Sequence, residues 1–382
     1  MSDTATIKKR KVQMVDVVGQ YRRYQDEIDE AIASVVHTGA YINGPAVKNF
    51  EKEMAEYLGV PHAIACASGT DALQIAMMAI GVKPGDEIIT TPFTFVATTE
   101  TIALLGAKPV YVDIDPQTFN IDPEKIEERI TPRTKAILPV HLFGQPCGIT
   151  RIKEIADRHH LYLIEDSAQA VGALWQGKKV CGFGDIASIS FYPSKNLGAF
   201  GDGGMITTTS GELAEIIRSI ANHGASKTYY HDRLGVNSRL DSIQAAILSV
   251  KLKYLDEWNA RRREVAALYT KLFSLHSDSI QTPFVHSDAE PIWHQYSIVI
   301  SADRDQVIAS LKTDGIPTNI YYPVPLHLQP AYRSFGGKSS DYPNAEFASA
   351  HILSLPMHSE LSDEEVEYIA ERVITHIRKI VQ

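Results

Sequence analysis

The sequence predicts an α/β fold in which a large domain with a mostly parallel sheet precedes a smaller α+β domain. Between about residues 60 and 210, short β-rich runs alternate with helical stretches. Several of those runs are continuously apolar, which is typical of strands covered by helices on both faces. The 382 residues also exceed the usual length of one domain, so a second domain is expected after the sheet.

Apolar and β-branched runs predict strands at 63–66, 87–90, 110–112, 136–140, 161–164, 187–191 and 205–208. Helices are predicted between them at 70–80, 95–105, 123–129, 149–158 and 212–221. From 237 to about 273 the chain lacks proline and glycine and repeats apolar residues at steps of three and four, which predicts one long helix, straight or kinked. The remaining predicted elements are a strand at 296–300, a helix at 303–313, a strand at 317–322 and a closing helix at 363–381.

These elements divide the chain into a large domain at 13–250 and a small C-terminal domain at 251–382. Residues 1–12 form a polar tail with the basic run Lys8-Lys9-Arg10-Lys11, and we expect this tail to be flexible. No apolar segment follows that run, so we expect no secretory signal.

The composition argues against nucleic-acid, membrane and metal partners. The chain has 37 Lys and Arg against 46 Asp and Glu, a net charge of −9, whereas nucleic-acid binders show a basic balance or a basic face. Its apolar runs are far shorter than the roughly 20 residues of a membrane-spanning helix. The three cysteines and fourteen histidines lack metal-ligand spacing. We therefore expect a cytoplasmic protein without a metal.

Polar residues follow several predicted strands at their carboxyl ends, where α/β sheets bind ligands. Ser68-Gly69-Thr70-Asp71 follows the first strand and opens a helix, so its free backbone N–H groups favour a phosphate. An ordinary helix cap is the alternative. Asp166 follows the fifth strand, with Gln169 three residues later, and here too a helix cap is the alternative to a ligand contact.

Lys195 is a lone lysine in the polar segment after the sixth strand. A lysine near apolar surroundings loses its proton readily and attacks carbonyl carbons as an amine. The alternative is a surface lysine beside the glycine-rich turn at 201–204. The glycines do not form a dinucleotide-binding fingerprint, and the sequence has neither a P-loop nor a Gly-x-Ser-x-Gly nucleophile elbow.

Each motif is ambiguous alone, but their order along the chain fits pyridoxal 5'-phosphate (PLP). In such a site a lysine holds the cofactor as a Schiff base, an aspartate keeps the pyridine nitrogen protonated, and a helix N-terminus holds the phosphate. Lys195 follows Asp166 by 29 residues, each near the end of a predicted strand. We therefore predict a PLP enzyme.

Several ordered segments resemble those of the DegT/StrS-type nucleotide-sugar aminotransferases. They are 68–73, 92–98, 165–169, 190–195 with 201–204, and 235–241. The resemblance extends from about Gln13 to the C-terminus. It implies an aspartate-aminotransferase-like (fold type I) large domain, PLP as cofactor, and a homodimer with shared active sites.

The resemblance also implies roles for individual residues. Lys195 would be the catalytic Schiff-base lysine and proton carrier, and it favours transamination because related members that deoxygenate sugars have histidine there. Asp166 would pair with the pyridine nitrogen, and Gln169 would contact the phenolic oxygen of the ring. The residues implied to stack on the ring or hold the phosphate are Phe95, Gly69, Thr70, Ser190 and, from the second subunit, Asn237.

The sequence most resembles family members that aminate the 3-keto carbon of UDP-2-acetamido-2-deoxy-hexuronates, with L-glutamate as donor, for surface polysaccharides of the O-antigen type. A uronate carboxylate needs a cation, and Arg239 is the candidate because a guanidinium fork fits a carboxylate bidentately. Arginine also occurs at this position in relatives that act on neutral deoxysugars, so a role unrelated to a carboxylate is the alternative. The implied substrate loop carries Tyr321, Tyr322 and His327, and Tyr321 stands where some uronate enzymes have histidine. A dTDP-3-keto- or 4-keto-6-deoxyhexose aminotransferase is therefore an alternative, and a catalytically silent regulatory or binding protein on the same fold is a remote one.

Overall fold

The structure, a computed structural model, describes residues 12–381 of the chain. The α-helices are α1 (Val17–Arg23), α2 (Gln25–Thr38), α3 (Pro45–Leu58), α4 (Gly69–Ala79), α5 (Ala97–Leu104), α6 (Ile149–Arg158), α7 (Gly211–Ala221), α8 (Ser242–Leu252), α9 (Leu255–Phe273), α10 (Arg304–Thr313), α11 (Pro343–His351) and α12 (Asp363–Val381). The strands are β1 (His62–Cys66), β2 (Glu87–Thr90), β3 (Lys108–Tyr111), β4 (Thr134–Ile137), β5 (Tyr162–Asp166), β6 (Leu174–Trp175), β7 (Lys178–Lys179), β8 (Ile186–Ser190), β9 (Gly204–Thr208), β10 (Ala225–Lys227), β11 (Tyr230–His231), β12 (Ile280–Gln281), β13 (Ala289–Glu290), β14 (Tyr296–Ile300) and β15 (Ile352–Leu355).

The central sheet has seven strands in the order β1-β9-β8-β5-β4-β2-β3, and its neighbouring strands are parallel except where β9 takes part. The sequence predicts all seven, so the α/β class with a mostly parallel sheet is confirmed. β9 runs antiparallel between β1 and β8, with Gly204 opposite both Cys66 and Ser190. The carboxyl ends of β1 and β8 therefore lie on either side of Gly204.

Two predicted helices differ from the observed ones. The long helix is divided at Lys253 and Tyr254 into α8 and α9. Residues 123–129 form two short 3₁₀ turns, Pro123–Lys125 and Glu127–Arg129, instead of an α-helix. In that segment Ile126 alone is buried, so no continuous apolar face stabilises a longer helix. The helices α1, α2 and α3, which precede β1, were not predicted.

The strand predicted at 317–322 is wrong. Within that range the structure pairs Asn319 with Ser354 in a single isolated bridge. The place beside β14 in the small sheet is taken by β15, in the order β12-β14-β15. The chain at Tyr322 packs instead beside Phe93, which lies between β2 and α5, with ring centroids 6.0 Å apart. Neither β15 nor the short β12, the two strands that flank β14, was predicted from the sequence.

Helix α9 packs against both parts of the molecule. Its first half buries Trp258 in the core beneath the central sheet, and its second half buries Tyr269 and Phe273 in the core of the C-terminal part. Val12 is buried in that second core as well. The predicted flexible tail at 1–12 therefore ends in a packed residue, and the rest of that tail lies outside the described residues.

We expect Phe273→Ala to destabilise the protein by roughly 3–5 kcal/mol, because it removes a fully buried ring and leaves a cavity. Leu275→Ala is the matched control, since Leu275 lies two residues away with 89% of its surface exposed, and it should leave stability nearly unchanged. Urea unfolding followed by fluorescence measures both variants. Equal midpoints for Phe273→Ala and the wild type would contradict the packing described for α9.

Candidate active site

Adjacent parallel strands bring Asp166, Ser190 and Lys195 to one edge of the central sheet. Asp166 is the last residue of β5 and Ser190 the last of β8, and the two strands pair through Asp166 and Ser188. Lys195 lies in the loop that follows Ser190. Because parallel strands end at the same edge, both side chains belong to one crevice. The carboxylate of Asp166 is close enough to favour the protonated form of Lys195.

The two carboxylates that end β5 have different surroundings, because neighbouring strand residues point to opposite faces. Glu165 is buried and accepts hydrogen bonds from the backbone N–H groups of Cys181 at 3.0 Å, Phe183 at 2.8 Å and Gly184 at 2.8 Å. Nε2 of His141 lies 3.1 Å from the same carboxylate. Burial acts to raise the pKa of Glu165, but these donors outweigh it and hold the pKa below its usual value. Glu165 is therefore a structural anion.

Asp166 is also buried but has fewer donors. Its Oδ2 accepts a hydrogen bond from the hydroxyl of Thr98 at 2.9 Å, and its Oδ1 accepts one from the backbone N–H of Ala168 at 3.2 Å. Burial raises the pKa of Asp166 above its usual value, although both hydrogen bonds and the charge of Lys195 act in the opposite direction. A protonated ring nitrogen would supply positive charge at this carboxylate. The surroundings of Asp166 therefore fit a pyridinium partner.

Lys195 is partly exposed as a whole residue, but its amine lies inside the crevice and has a strongly shifted pKa. Burial in the crevice lowers its pKa to about 8, and the Asp166 carboxylate acts in the opposite direction. With that pKa, about a tenth of the amine is neutral at pH 7, far more than at the usual lysine value of about 10.4. The neutral amine is the form that attacks carbonyl carbons and accepts protons.

The side-chain amide of Gln169 has a fixed orientation. Its Oε1 accepts a hydrogen bond from the backbone N–H of Phe143 at 2.6 Å, and a backbone N–H can only donate. Its Nε2 therefore faces Tyr322, to whose hydroxyl oxygen it donates at 3.1 Å. Phe143 adopts a left-handed backbone conformation with φ 58°, a strained state that is found at sites where a backbone group must be aimed.

The first turn of α4 forms a cradle for an anion. Ser68 caps the helix through a hydrogen bond from the backbone N–H of Asp71 to its hydroxyl oxygen at 3.1 Å, which leaves the first N–H groups of the helix to other partners. A Cβ on Gly69 would lie 2.6 Å from Cβ of Ser190, and a Cβ on Gly204 would lie 2.3 Å from the carbonyl carbon of Ser68. Only glycine permits this close approach of α4 to β8 and β9. Gly69, Thr70 and Ser190 thus lie together, as a phosphate site requires.

Aromatic rings line the side of the crevice formed by the segment before α5. Phe95 is 55% exposed, and its ring centroid lies 6.4 Å from that of Tyr322. An exposed ring at this position has a free face on which a planar ligand can stack. Thr98, the second residue of α5, was not singled out from the sequence, yet its hydroxyl donates to Asp166. Thr98 could have been found from the sequence, because it is the last residue of the motif segment 92–98.

Two predicted contacts remain, Asn237 of the second subunit and Arg239. Asn237 is exposed. Arg239 lines an open groove of about 1500 Å³ between α3, β1 and α7, and neither Lys195 nor Asp166 lines that groove. Within one chain, the groove that Arg239 lines is therefore distinct from the surroundings of Lys195 and Asp166.

The predicted substrate loop is divided between the crevice and the interior. Tyr322 faces the crevice, whereas Tyr321 accepts a hydrogen bond at its hydroxyl from Nδ2 of Asn319 at 2.8 Å. His327 is completely buried, with its ring centroid 4.7 Å from that of Tyr342 and its Nε2 3.2 Å from a carboxylate oxygen of Glu346. This position supports the loop, and contact of His327 with a substrate stays a prediction.

Comparison with known proteins settles the family. The model of the DegT/DnrJ/EryC1/StrS aminotransferase family matches residues 22–374. The chain belongs to the DegT/DnrJ/EryC1/StrS aminotransferase family. A relative from Geobacillus stearothermophilus, named pleiotropic regulatory protein, is 49% identical over 368 residues, which cover 96% of this chain and 99% of that one.

Two further DegT-family relatives bear on activity. The UDP-2-acetamido-2-deoxy-3-oxo-D-glucuronate aminotransferase of Pseudomonas aeruginosa is 47% identical over 358 residues, which cover 94% of this chain and 98% of that one. The crystal structure of DesV from S. venezuelae superimposes with a TM-score of 0.93 at 39% identity and covers 96% of this chain and 98% of that one. The predicted family and fold are therefore confirmed.

As a DegT-family member, the protein is a PLP-dependent sugar aminotransferase. Solved relatives include NtdA from Bacillus subtilis with bound pyridoxamine phosphate, at 33% identity, and a sugar aminotransferase from Streptococcus pneumoniae in its PLP form, at 27% identity. The crevice fits this cofactor, because an underpaired buried carboxylate, a lysine of lowered pKa and a glycine-built anion cradle meet at one sheet edge.

We expect acylation of Lys195 in the cofactor-free protein to accelerate as the pH passes about 8, because the neutral amine appears there. In Asp166→Asn the half-maximal pH should move lower, since the carboxylate that favours the protonated amine is gone. Peptide mass spectrometry measures the rate at Lys195, with the exposed Lys52 as reference for the reagent. A wild-type midpoint near the usual lysine value of about 10.4 would contradict the burial assigned to the amine.

Proposed function

We propose that the protein transfers the amino group of L-glutamate to the 3-keto carbon of UDP-2-acetamido-2-deoxy-3-keto-glucuronate, a step in making surface polysaccharide of the O-antigen type. The observation that carries the proposal is the 47% identity over 94% of this chain to the P. aeruginosa aminotransferase named for that sugar. A homodimer in the cytoplasm is part of the proposal. Among residues 12–381, no helix is long and apolar enough to cross a bilayer.

Arg239 supports the choice of an acidic sugar. Its guanidinium group offers a planar pair of donors that matches a carboxylate. Arg239 is partly exposed, and no intramolecular salt bridge with it occurs among the described residues. A carboxylate of a bound uronate would provide the missing negative charge.

The residues of the crevice divide the chemistry between them. PLP, when bound, supplies an electron sink for the carbon that loses its proton. The Lys195 amine would carry that proton between the substrate carbon and the cofactor carbon, a role that its lowered pKa permits near neutral pH. The Asp166 carboxylate would keep the pyridine nitrogen protonated, and the amide of Gln169, oriented by the N–H of Phe143, would donate to the phenolic oxygen. The N-terminus of α4 would bind the phosphate.

A second copy of the chain would complete the site. Tyr229 and Leu234, on the loop before Asn237, are 91% and 88% exposed in one protomer. Large apolar side chains left exposed so close together mark an association surface. Burial of this loop against a second protomer would bring the partner's Asn237 toward the phosphate and the partner's Arg239 toward the sugar.

A dTDP-keto-6-deoxyhexose is the second candidate substrate, because Tyr321 stands where some uronate enzymes have histidine. The dTDP-3-amino-3,4,6-trideoxy-alpha-D-glucose transaminase of Streptomyces venezuelae is 41% identical over 97% of this chain. The position aminated, C3 or C4, is part of the same question. Substrate trials must therefore include both classes of nucleotide sugar.

We expect the PLP-loaded protein to be yellow and to lose its long-wavelength band when L-glutamate is added, because the amino group passes to the cofactor. The keto-sugar that restores the band identifies the substrate class. Lys195→Ala should lack the reaction, since both the holding amine and the proton carrier are gone. Absorbance spectra measure each step. A wild-type band unchanged by glutamate would reject glutamate as donor, and restoration by neither sugar class would reject both candidate substrates.

We expect Arg239→Ala to reduce kcat/KM for the UDP-uronate roughly 10- to 100-fold, the usual effect of losing a charged hydrogen bond. The effect on a dTDP-deoxyhexose should be much smaller, because that sugar has no carboxylate. Arg22→Ala, at an exposed arginine of α1, is the control for loss of one positive charge. Equal losses on both sugars would remove Arg239 as the carboxylate partner.

A further inference from the structure

A buried hydrogen-bonded network lies directly behind Lys195. At its centre is Asn196, the next residue, whose Nδ2 donates to Oδ1 of Asn259 on α9 at 2.8 Å and to the carbonyl oxygen of Ile292 at 3.0 Å. Oδ1 of Asn196 lies 3.3 Å from Nδ1 of His294. Asn196, Asn259 and His294 are all buried. The network therefore joins the lysine-bearing loop, α9 and the segment that leads into β14.

The partners determine which ring nitrogen of His294 carries the proton. The carbonyl of Ile292 can only accept, so the NH₂ group of Asn196 faces Ile292 and its oxygen faces His294. Nδ1 of His294 is therefore protonated and donates to Asn196. Nε2 is left as an acceptor and lies 3.4 Å from Nε2 of Gln295.

His294 also stays neutral. Burial lowers its pKa well below the usual value, and the positive charges of Lys195 and Arg262 act in the same direction. The neutral ring of His294 therefore places no second positive charge next to Lys195, and its Nδ1–H still donates to Asn196. The ring acts as a fixed, uncharged donor behind the lysine.

The segment that carries His294 supports Gln169 as well. The backbone N–H of Ile292 donates to the carbonyl of Gly144 at 3.0 Å, and that of Gln295 donates to the carbonyl of Phe143 at 3.3 Å. A Cβ on Gly144 would lie only 2.7 Å from the backbone nitrogen of His294, so the two chains are in close contact. Phe143 is the residue whose N–H orients Gln169. One short segment thus supports both Lys195 and Gln169.

We propose that His294 is a positioning residue for Lys195: its Nδ1–H holds the amide of Asn196, and that amide sets the direction from which the lysine amine approaches the reacting carbon. The proposal rests on amino-group transfer through Lys195 and is independent of which sugar is the acceptor. His294 contacts neither cofactor nor substrate in this role. It acts through its neighbour.

The test compares His294→Leu with His294→Asn. The two side chains have nearly the same shape, but only asparagine places an N–H donor near the position of Nδ1. In the PLP-loaded protein, we expect the saturating rate of reaction with glutamate to fall on the order of 100-fold for leucine and about 3-fold for asparagine, as expected for a misplaced reacting group. The glutamate concentration at half-maximal rate should change less than about 3-fold in both, since ground-state binding is untouched.

A second readout needs no cofactor. In His294→Leu the half-maximal pH for acylation of Lys195 should move above about 8, toward the usual lysine value, because an unfixed amine reaches water. In His294→Asn it should stay near the wild-type value. Equal behaviour of the two variants in both measurements would overturn the proposal.

Misfolding of a variant and failure of the proposed amino donor can each be distinguished from failure of this proposal. If His294→Leu does not fold, His294→Gln replaces it, because the longer amide reaches past the Nδ1 position and lacks the donor there. If the wild type does not react with glutamate, the proposed donor fails, yet the acylation midpoints of the leucine or glutamine and asparagine variants still decide the role of His294.

Discussion

The arrangement of the active site depends on the buried carboxylate of Glu165. This carboxylate accepts hydrogen bonds from backbone N–H groups of the 181–184 segment, which leads into β8, and from the ring of His141, which follows β4. A buried carboxylate that loses such donors is left as an uncompensated charge, which is strongly destabilising. Both segments are therefore held at the end of β5. One of them leads to Lys195 through β8, and the other carries Phe143, whose N–H orients Gln169. An anion outside the proposed chemistry thus sets the relative positions of the residues to which that chemistry is assigned.

Strand geometry also explains why the pKa of Asp166 shifts in the direction opposite to that of Glu165. Successive residues of β5 face opposite sides, so the next carboxylate enters the crevice with two donors instead of four. Burial raises the pKa of Asp166, whereas the pKa of Glu165 is held down. Two adjacent carboxylates in similar burial therefore have different tasks: one is satisfied within the fold, and the other binds best to a positively charged ring. The lowered pKa of Lys195 follows from the same crevice, because desolvation disfavours its cation as well.

The sequence predicted the elements whose signals are local. The bounds of β2, β14 and α12 match the predicted ranges residue for residue, and Asp166 and Lys195 could be placed because each follows an apolar strand. Contacts between residues far apart in the sequence could not be predicted from local patterns. Either 317–322 or β15 could pair with β14, and the outcome depends on contacts with distant parts of the chain. Tyr322 packs on Phe93, more than two hundred residues earlier, so the 317–322 segment does not join the small sheet. His294 gave no local signal either, since its importance comes from Asn196, about a hundred residues earlier.

The chemistry and the substrate preference reside in different physical settings. Asp166, Gln169 and Lys195 are held by buried strands and amide networks, where a change leaves an unpaired polar group or charge and costs stability. Arg239 and Tyr321 lie on partly exposed segments, where a substitution disturbs little of the core. A single buried framework can therefore serve many sugars while its edge residues change, which explains how relatives named for UDP-uronates and for dTDP-deoxysugars share 41–47% identity with this chain. In the proposed function, the buried framework therefore carries out the amino transfer, and the few edge residues select which sugar receives the amino group.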